Sequence, residues 1–153
     1  AAFGGLARAD VEGLADDYVL RLRRGRLFAE ALAAIAAHRA ANDVLVLMSA
    51  SPDLYVPRLG RALGFDRVVC TKLSWREERF EGRLATPNCR GEEKTRQLAA
   101  LRTAHPGLAT IGYGNSAPDL EHLAACDEAV YVNARAAERP ALVARGLRLV
   151  DWA

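Results

Sequence analysis

From Asp43 onward the chain alternates short apolar runs with helix-forming segments, and this alternation restricts the fold more than any other feature. VLVLM at residues 44–48 is an unbroken run of β-branched and long aliphatic residues, the length and composition of a strand buried on both faces. Leu54 to Leu63 follows as a helix, with Pro52 tolerated near its first turn. GFDRVVC is a second short strand, and TKLSW and RFEGRLA, alternating on either side of Glu77 to Arg79, predict a two-stranded ribbon. Gly91 to Thr103 is rich in helix formers and is stopped by His105-Pro106-Gly107. LATIGYG then reads as a strand, Pro118 to about Ala125 as a short helix, and Glu128 to Asn133 as another strand. Arg139 to Arg145 is a helix and LRLVDW a terminal strand. This order predicts an α/β, Rossmann-like fold: a mostly parallel sheet with flanking helices.

The first 42 residues carry no strand signal. Asp10 caps a helix in which Val11, Leu14, Ala15, Tyr18, Val19 and Leu22 recur at helical spacing, and Arg26 to Ala41 forms a second helix. The 153 residues are enough for one domain with a real core. Lys and Arg total 21 against 19 Asp and Glu, so the chain has no polybasic character and nucleic acid is not an expected partner. No apolar run reaches the roughly 18 residues of a membrane span, so membrane insertion is not expected either. Cys70, Cys89 and Cys126 are odd in number and lack metal-binding spacing, which points to a reduced, cytoplasmic protein.

In open parallel sheets ligands sit beyond the carboxyl ends of the strands. Ser49, the first polar residue after VLVLM, can donate to a phosphate oxygen, or with Ser51 it can cap the next helix. Lys94 in Gly91-Glu92-Glu93-Lys94 stands near a helix start, where a cation is disfavoured unless it meets a phosphate or a buried carboxylate. GYGNSAPD, residues 112–119, is the most specific segment. Gly114 permits close backbone approach, while Asn115 and Asp119 offer two oxygens four residues apart, which suits magnesium, a cation that keeps waters and substrate oxygens. The same pattern also fits an Asn-Ser turn with Asp119 as a helix-start acid. His38, His105 and His122 share no pattern and read as structural or surface residues, and Trp75 and Tyr113 read as packing residues. There is no Gly-x-Gly-x-x-Gly after the first strand and no Gly-x-Ser-x-Gly, which disfavours nucleotide-binding and esterase readings.

The order of strand, Ser, Gly-x-x-Lys, strand and Gly-Asn-Ser-x-x-Asp resembles the haloacid dehalogenase-like (HAD) hydrolase superfamily, in its phosphoserine-phosphatase-like branch. LMSASPDLYV resembles that family's second motif, GEEK its third and YGNSAPDLEHL its fourth. The resemblance implies that Ser49 and Ala50 bind substrate phosphate and that Lys94 compensates the charge of phosphate and nucleophile, Ser49 and Lys94 being the catalytic residues. It implies that Asn115 and Asp119 hold Mg2+, the latter directly or through water. Residues 1–25 would be the remnant of a helical cap, with Tyr55 facing it, and 26–153 the HAD-like core with its small β-ribbon.

Such enzymes attack a phosphomonoester with an aspartate and hydrolyse the aspartyl-phosphate. Their first motif, Asp-x-Asp after an apolar strand, does not occur in this sequence. The expected core therefore lacks its first, central strand, a gap that a homodimer or an N-terminal segment would fill. In the family that motif position holds the nucleophile, and Asn115 stands where Asp is more usual, which lowers the expected metal affinity. The expectation is a magnesium-dependent phosphatase, acting on a small phosphorylated substrate, of which this chain is an incomplete, weakly active or inactive part. The alternative is a noncatalytic phosphate-binding or assembly protein with the same fold.

Overall fold

The computed structural model describes residues 5–153, so the first four residues of the expected cap remnant lie outside the described residues. The chain forms two compact units, divided between Cys89 and Arg90.

In the first unit, helix α1 (Arg8–Arg23) begins after Ala7, without a side-chain cap. Asp10 lies inside its first turn and is not the cap. The reason is tertiary: Ala7 bridges to Arg79, and Gly5 and Leu6 exchange backbone hydrogen bonds with Phe80, so the helix starts as soon as the chain leaves the ribbon. Helix α2 (Ala29–Ala40) follows, and strand β1 (Val46–Pro52) runs beyond VLVLM. It is extended through Ser-Ala-Ser-Pro because Ser49 pairs with Cys70 and, after a shift of register, Pro52 with Thr71 of strand β2 (Arg67–Thr71). Ser49 is thus inside the strand, not past its end. The pair is parallel, joined by helix α3 (Val56–Leu63).

Helix α3 starts two residues later than the sequence suggests, with Pro57 rather than Pro52 in its first turn. Gly64 closes it in the left-handed conformation, φ 72°. Gly60 is needed for close packing, since a Cβ there would collide with the Val68 side chain. Strands β3 (Leu73–Arg76) and β4 (Arg79–Leu84) form the expected antiparallel ribbon. Its two turn residues, Glu77 and Glu78, both have positive φ, the geometry of a tight hairpin.

The second unit begins with helix α4 (Glu92–Ala104), followed by the parallel sheet of β5 (Ile111–Gly114), β6 (Glu128–Val132) and β7 (Arg148–Val150). A 3-10 turn (Ala117–Asp119) leads into helix α5 (Leu120–Ala124), and helix α6 (Arg139–Ala144) joins β6 to β7. Leu123, Tyr131, Ala134, Leu142 and Leu147 form one buried cluster, to which α5 contributes Leu123 and α6 Leu142. Every sheet contact outside the ribbon is parallel, and the architecture is α/β and Rossmann-like, as the alternation required. Among the described residues, β1 pairs only with β2 and β5 only with β6. Among them, too, no helix is long and apolar enough to cross a membrane.

The turn into β6 is fixed by Asp127, whose carboxylate accepts the Thr110 hydroxyl and backbone N–H, both at 2.7 Å, and an Arg102 N–H at 3.1 Å. The Thr110 hydroxyl and amide, together with Arg102, hold this carboxyl down to about 2. A depressed acid stabilises the fold above its unfolded pKa, about 3.9, and loses that contribution as pH falls through the folded value. In urea titrations of wild type and Asp127→Ala, the wild-type advantage should therefore be full at pH 5 and gone near pH 2.

Candidate functional site

The carboxyl end of β1 is held by backbone contacts that the sequence did not reveal. Thr71, 3% exposed at the end of β2, donates its hydroxyl to the Ala50 carbonyl at 2.8 Å and accepts the Cys89 N–H at 3.0 Å. Asp53 donates its N–H to the Thr71 carbonyl and accepts the Leu73 N–H on its carboxylate at 3.1 Å. The stretch from Ser49 to Asp53 is therefore clamped onto β2 and β3. Within it, Ser49 Oγ accepts the Ser51 N–H at 3.1 Å, which leaves the hydroxyl proton free to donate to an anion. Ser49 is half-buried and Ala50 is exposed. In the sequence Thr71 reads as the start of the ribbon stretch TKLSW; its role depends on the register with Pro52.

In the second unit the centre is Asp119, 6% exposed. Its Oδ1 accepts Lys94 Nζ at 2.6 Å. Its Oδ2 accepts the Ser116 hydroxyl at 2.6 Å, the Ser116 N–H at 3.2 Å and the Asn115 N–H at 3.3 Å. Ser116 and Asp119 form a capping box at the start of the 3-10 turn. Burial works to raise the Asp119 pKa, but the Lys94 and Ser116 hydrogen bonds outweigh it and hold the carboxyl below the usual range. The carboxylate stays ionised, and the two side chains, 13% and 8% exposed, make a buried ion pair. Of the two partners that Lys94 could have at a helix start, the structure shows the carboxylate.

Gly114 makes this pairing possible. A Cβ there would lie 2.7 Å from Asp119 Cβ and 3.0 Å from Leu123 Cδ1, and at Gly112 one would lie 2.6 Å from Cys126 Sγ. The close approach foreseen at Gly114 is therefore that of the following turn and helix onto the strand. His122, one turn beyond Asp119, is 6% exposed and its Nδ1 has no hydrogen-bond partner. Burial, with the Lys94 charge adding to it, lowers its pKa and keeps it neutral. Tyr113 lies against Trp152, ring centroids 6.0 Å apart, and Tyr55 meets Tyr18 edge-on at 4.8 Å. Thiol nucleophiles are not favoured: burial, with Asp53 and Cys89 adding to it, pushes Cys70 up to about 11, and burial also raises Cys126.

Lys94 uses one of its three N–H donors on Asp119, so it can offer the others to an incoming anion without losing its anchor. For a divalent cation the donor set is thinner. Both Asp119 oxygens are occupied by hydrogen-bond donors, one of them a cation, so a direct bond from Asp119 does not fit this arrangement. Contact through a water does, and the exposed Asn115 side chain carries a further oxygen on the same loop. Among the described residues there is no cluster of three or more His, Cys, Asp or Glu that could hold a metal ion.

Residues 1–124 match the family of haloacid dehalogenase-like hydrolases. The chain belongs to that family. It is 33% identical over 128 residues to the CicA protein of Caulobacter vibrioides, covering 83% of this chain and 57% of that protein. Its fold is similar to that of a Bordetella pertussis protein of unknown function, with a TM-score of 0.83 and 22% identity over 95% of this chain and 68% of that one. It is also similar to that of a probable phosphoserine phosphatase from Vibrio cholerae, TM-score 0.70 and 20% identity, over 83% of this chain and 39% of that one. The chain thus spans little more than half the length of the curated relative.

Removing Lys94 would leave the Asp119 charge buried without its cation, a loss of about 3 kcal/mol. Lys94→Ala should therefore lower the urea midpoint by a corresponding amount. Lys94→Ala combined with Asp119→Ala should fall well short of the sum of the two single losses, because the pair is coupled.

Proposed function

We propose that this chain is the phosphate-binding part of a magnesium-dependent phosphomonoester hydrolase of the cytoplasm, acting on a small phosphorylated molecule. The observation that carries the reading is the Lys94–Asp119 pair: a lysine fixed by a buried carboxylate with donors to spare, on residues that match the family's third and fourth motifs. Ser49 donates its free hydroxyl proton to a phosphate oxygen, with Ala50 beside it on the clamped end of β1. Lys94 neutralises phosphate charge as it develops. Asn115 through its side-chain oxygen and Asp119 through a water would hold Mg2+, which would supply positive charge to the phosphate.

Residues 1–25 act as the end of a cap and 26–153 as the core. The sequence contains no Asp-x-Asp, so the nucleophile comes from residues outside this sequence, and this chain alone turns over little or no substrate. The one-sided pairing of β1 and of β5 among the described residues supports a further strand in the complete assembly. A second copy could cover such an edge, but it could not bring the missing acid.

The test is tungstate or inorganic phosphate binding by calorimetry, together with hydrolysis of an aryl phosphate with and without magnesium. Expected are anion binding weakened about tenfold or more by Ser49→Ala and by Lys94→Gln, and negligible turnover. Magnesium should raise the thermal midpoint of the wild type but not of Asn115→Ala/Asp119→Ala. Unchanged anion affinity in both single variants would remove the phosphate assignment. Anion binding with no magnesium effect would favour a noncatalytic phosphate-binding protein.

A further inference from the structure

A cavity of about 230 Å³ lies within the first unit, lined by Leu6, Val11, Pro52, Leu54, Leu73, Trp75 and Phe80, with walls wholly apolar. Three elements meet there: the start of α1, the ribbon, and the segment that leaves β1. Trp75 and Phe80 lie with ring centroids 5.7 Å apart, and the Arg8 guanidinium, 4.7 Å from the Trp75 ring centre, braces the indole. The ribbon's polar side chains are spent on one another: the Ser74 hydroxyl donates to Glu81, which also pairs with Arg76 at 3.1 Å and Arg83 at 2.9 Å. The cavity therefore offers no hydrogen bond to an occupant.

Its place gives it a use. Pro52 and Leu54 on its wall follow Ser49 by three and five residues on the same clamped segment, and the register shift in that segment sets Ser49 and Pro52 opposite the neighbouring residues Cys70 and Thr71 of β2. A short group esterified to a phosphate at Ser49 therefore reaches the wall at Pro52. For scale, an apolar cavity of roughly 150 Å³ already holds a benzene ring. A serine or sugar phosphate would bring hydroxyl, amino or carboxylate groups into walls that cannot pair with them, at the cost of their desolvation. An alkyl or aryl group loses nothing polar on entry and removes apolar surface from water.

We infer that this cavity is the leaving-group pocket of the enzyme and that its substrates are phosphate monoesters of apolar alcohols. The inference rests on the phosphate role proposed for Ser49. Val11, Leu54, Leu73 and Trp75 on its walls then shape the group the pocket admits. Trp75 also serves as a built-in reporter, since its surroundings become drier when the pocket fills.

The experiment compares hexyl phosphate, O-phosphoserine, inorganic phosphate and hexanol for binding to the full chain, by calorimetry and by tryptophan emission. Each methylene buried is worth roughly a fourfold gain. Hexyl phosphate should therefore bind at least about tenfold more tightly than phosphate or phosphoserine, with a blue shift in emission that Trp75→Phe abolishes. Leu73→Asn, which makes one wall polar, and Val11→Phe, which fills the space, should each remove the advantage of the alkyl chain while leaving inorganic phosphate affinity unchanged. That unchanged affinity also shows both variants to be folded.

If phosphate binds and hexyl phosphate binds no better, the pocket assignment is overturned and the phosphate site stands. If neither binds, the phosphate reading fails and this inference with it. If hexanol alone binds as tightly as hexyl phosphate, the cavity is unconnected to the phosphate site and the inference is wrong.

Discussion

A single carboxylate organises the second unit. Asp119 accepts four hydrogen bonds from three residues, and each ties down a different feature: Lys94 on α4, the Asn115 amide at the end of β5, and the Ser116 hydroxyl and amide at the turn into α5. Burying an acid this deeply would favour its neutral form if the donors were absent. With them present the charge is retained, and the lysine is held in a defined position. Gly114 is the steric condition for this arrangement, because any side chain there would push Asp119 away from the strand. Three motif residues that look independent along the sequence are thus one mechanical part.

In the first unit the side chains hold backbone atoms instead of one another. The end of β1 is held through the buried Thr71 hydroxyl and the Asp53 carboxylate, both of which bond backbone atoms. Fixing the backbone rather than the side chain leaves the Ser49 hydroxyl proton uncommitted. A polar group that must meet a ligand is best served by neighbours that satisfy its acceptor side and leave its donor open.

How much was legible in the sequence follows from which forces act locally. VLVLM, the Gly60-Arg61-Ala62-Leu63-Gly64 helix end and the ribbon around Glu77 could all be read, because burial, glycine conformation and alternation are written in neighbouring residues. Lys94 stands out as unusual at a helix start, and Asp119 reads as a magnesium ligand or a helix-start acid. That they bond to each other was not decided by spacing, since 25 residues separate them. The extension of β1 through Ser-Ala-Ser-Pro was missed for the same reason: those residues have weak strand preference, and pairing with Cys70 and Thr71 overrides it. Asp10 failed as a cap because the chain before it is captured by the ribbon. The apolar cavity was invisible too, as its seven residues come from three separate stretches of chain.

The one-sided pairing of β1 and of β5 also limits how either sheet can grow. Antiparallel neighbours can be joined by a two-residue turn, but a strand that continues a parallel order must return by a crossover of a dozen residues or more. No local rearrangement of the loops flanking β1 or β5 could therefore supply it. The connection would need the length and right-handed path of a helical excursion, the kind that α1 and α2 together make ahead of β1.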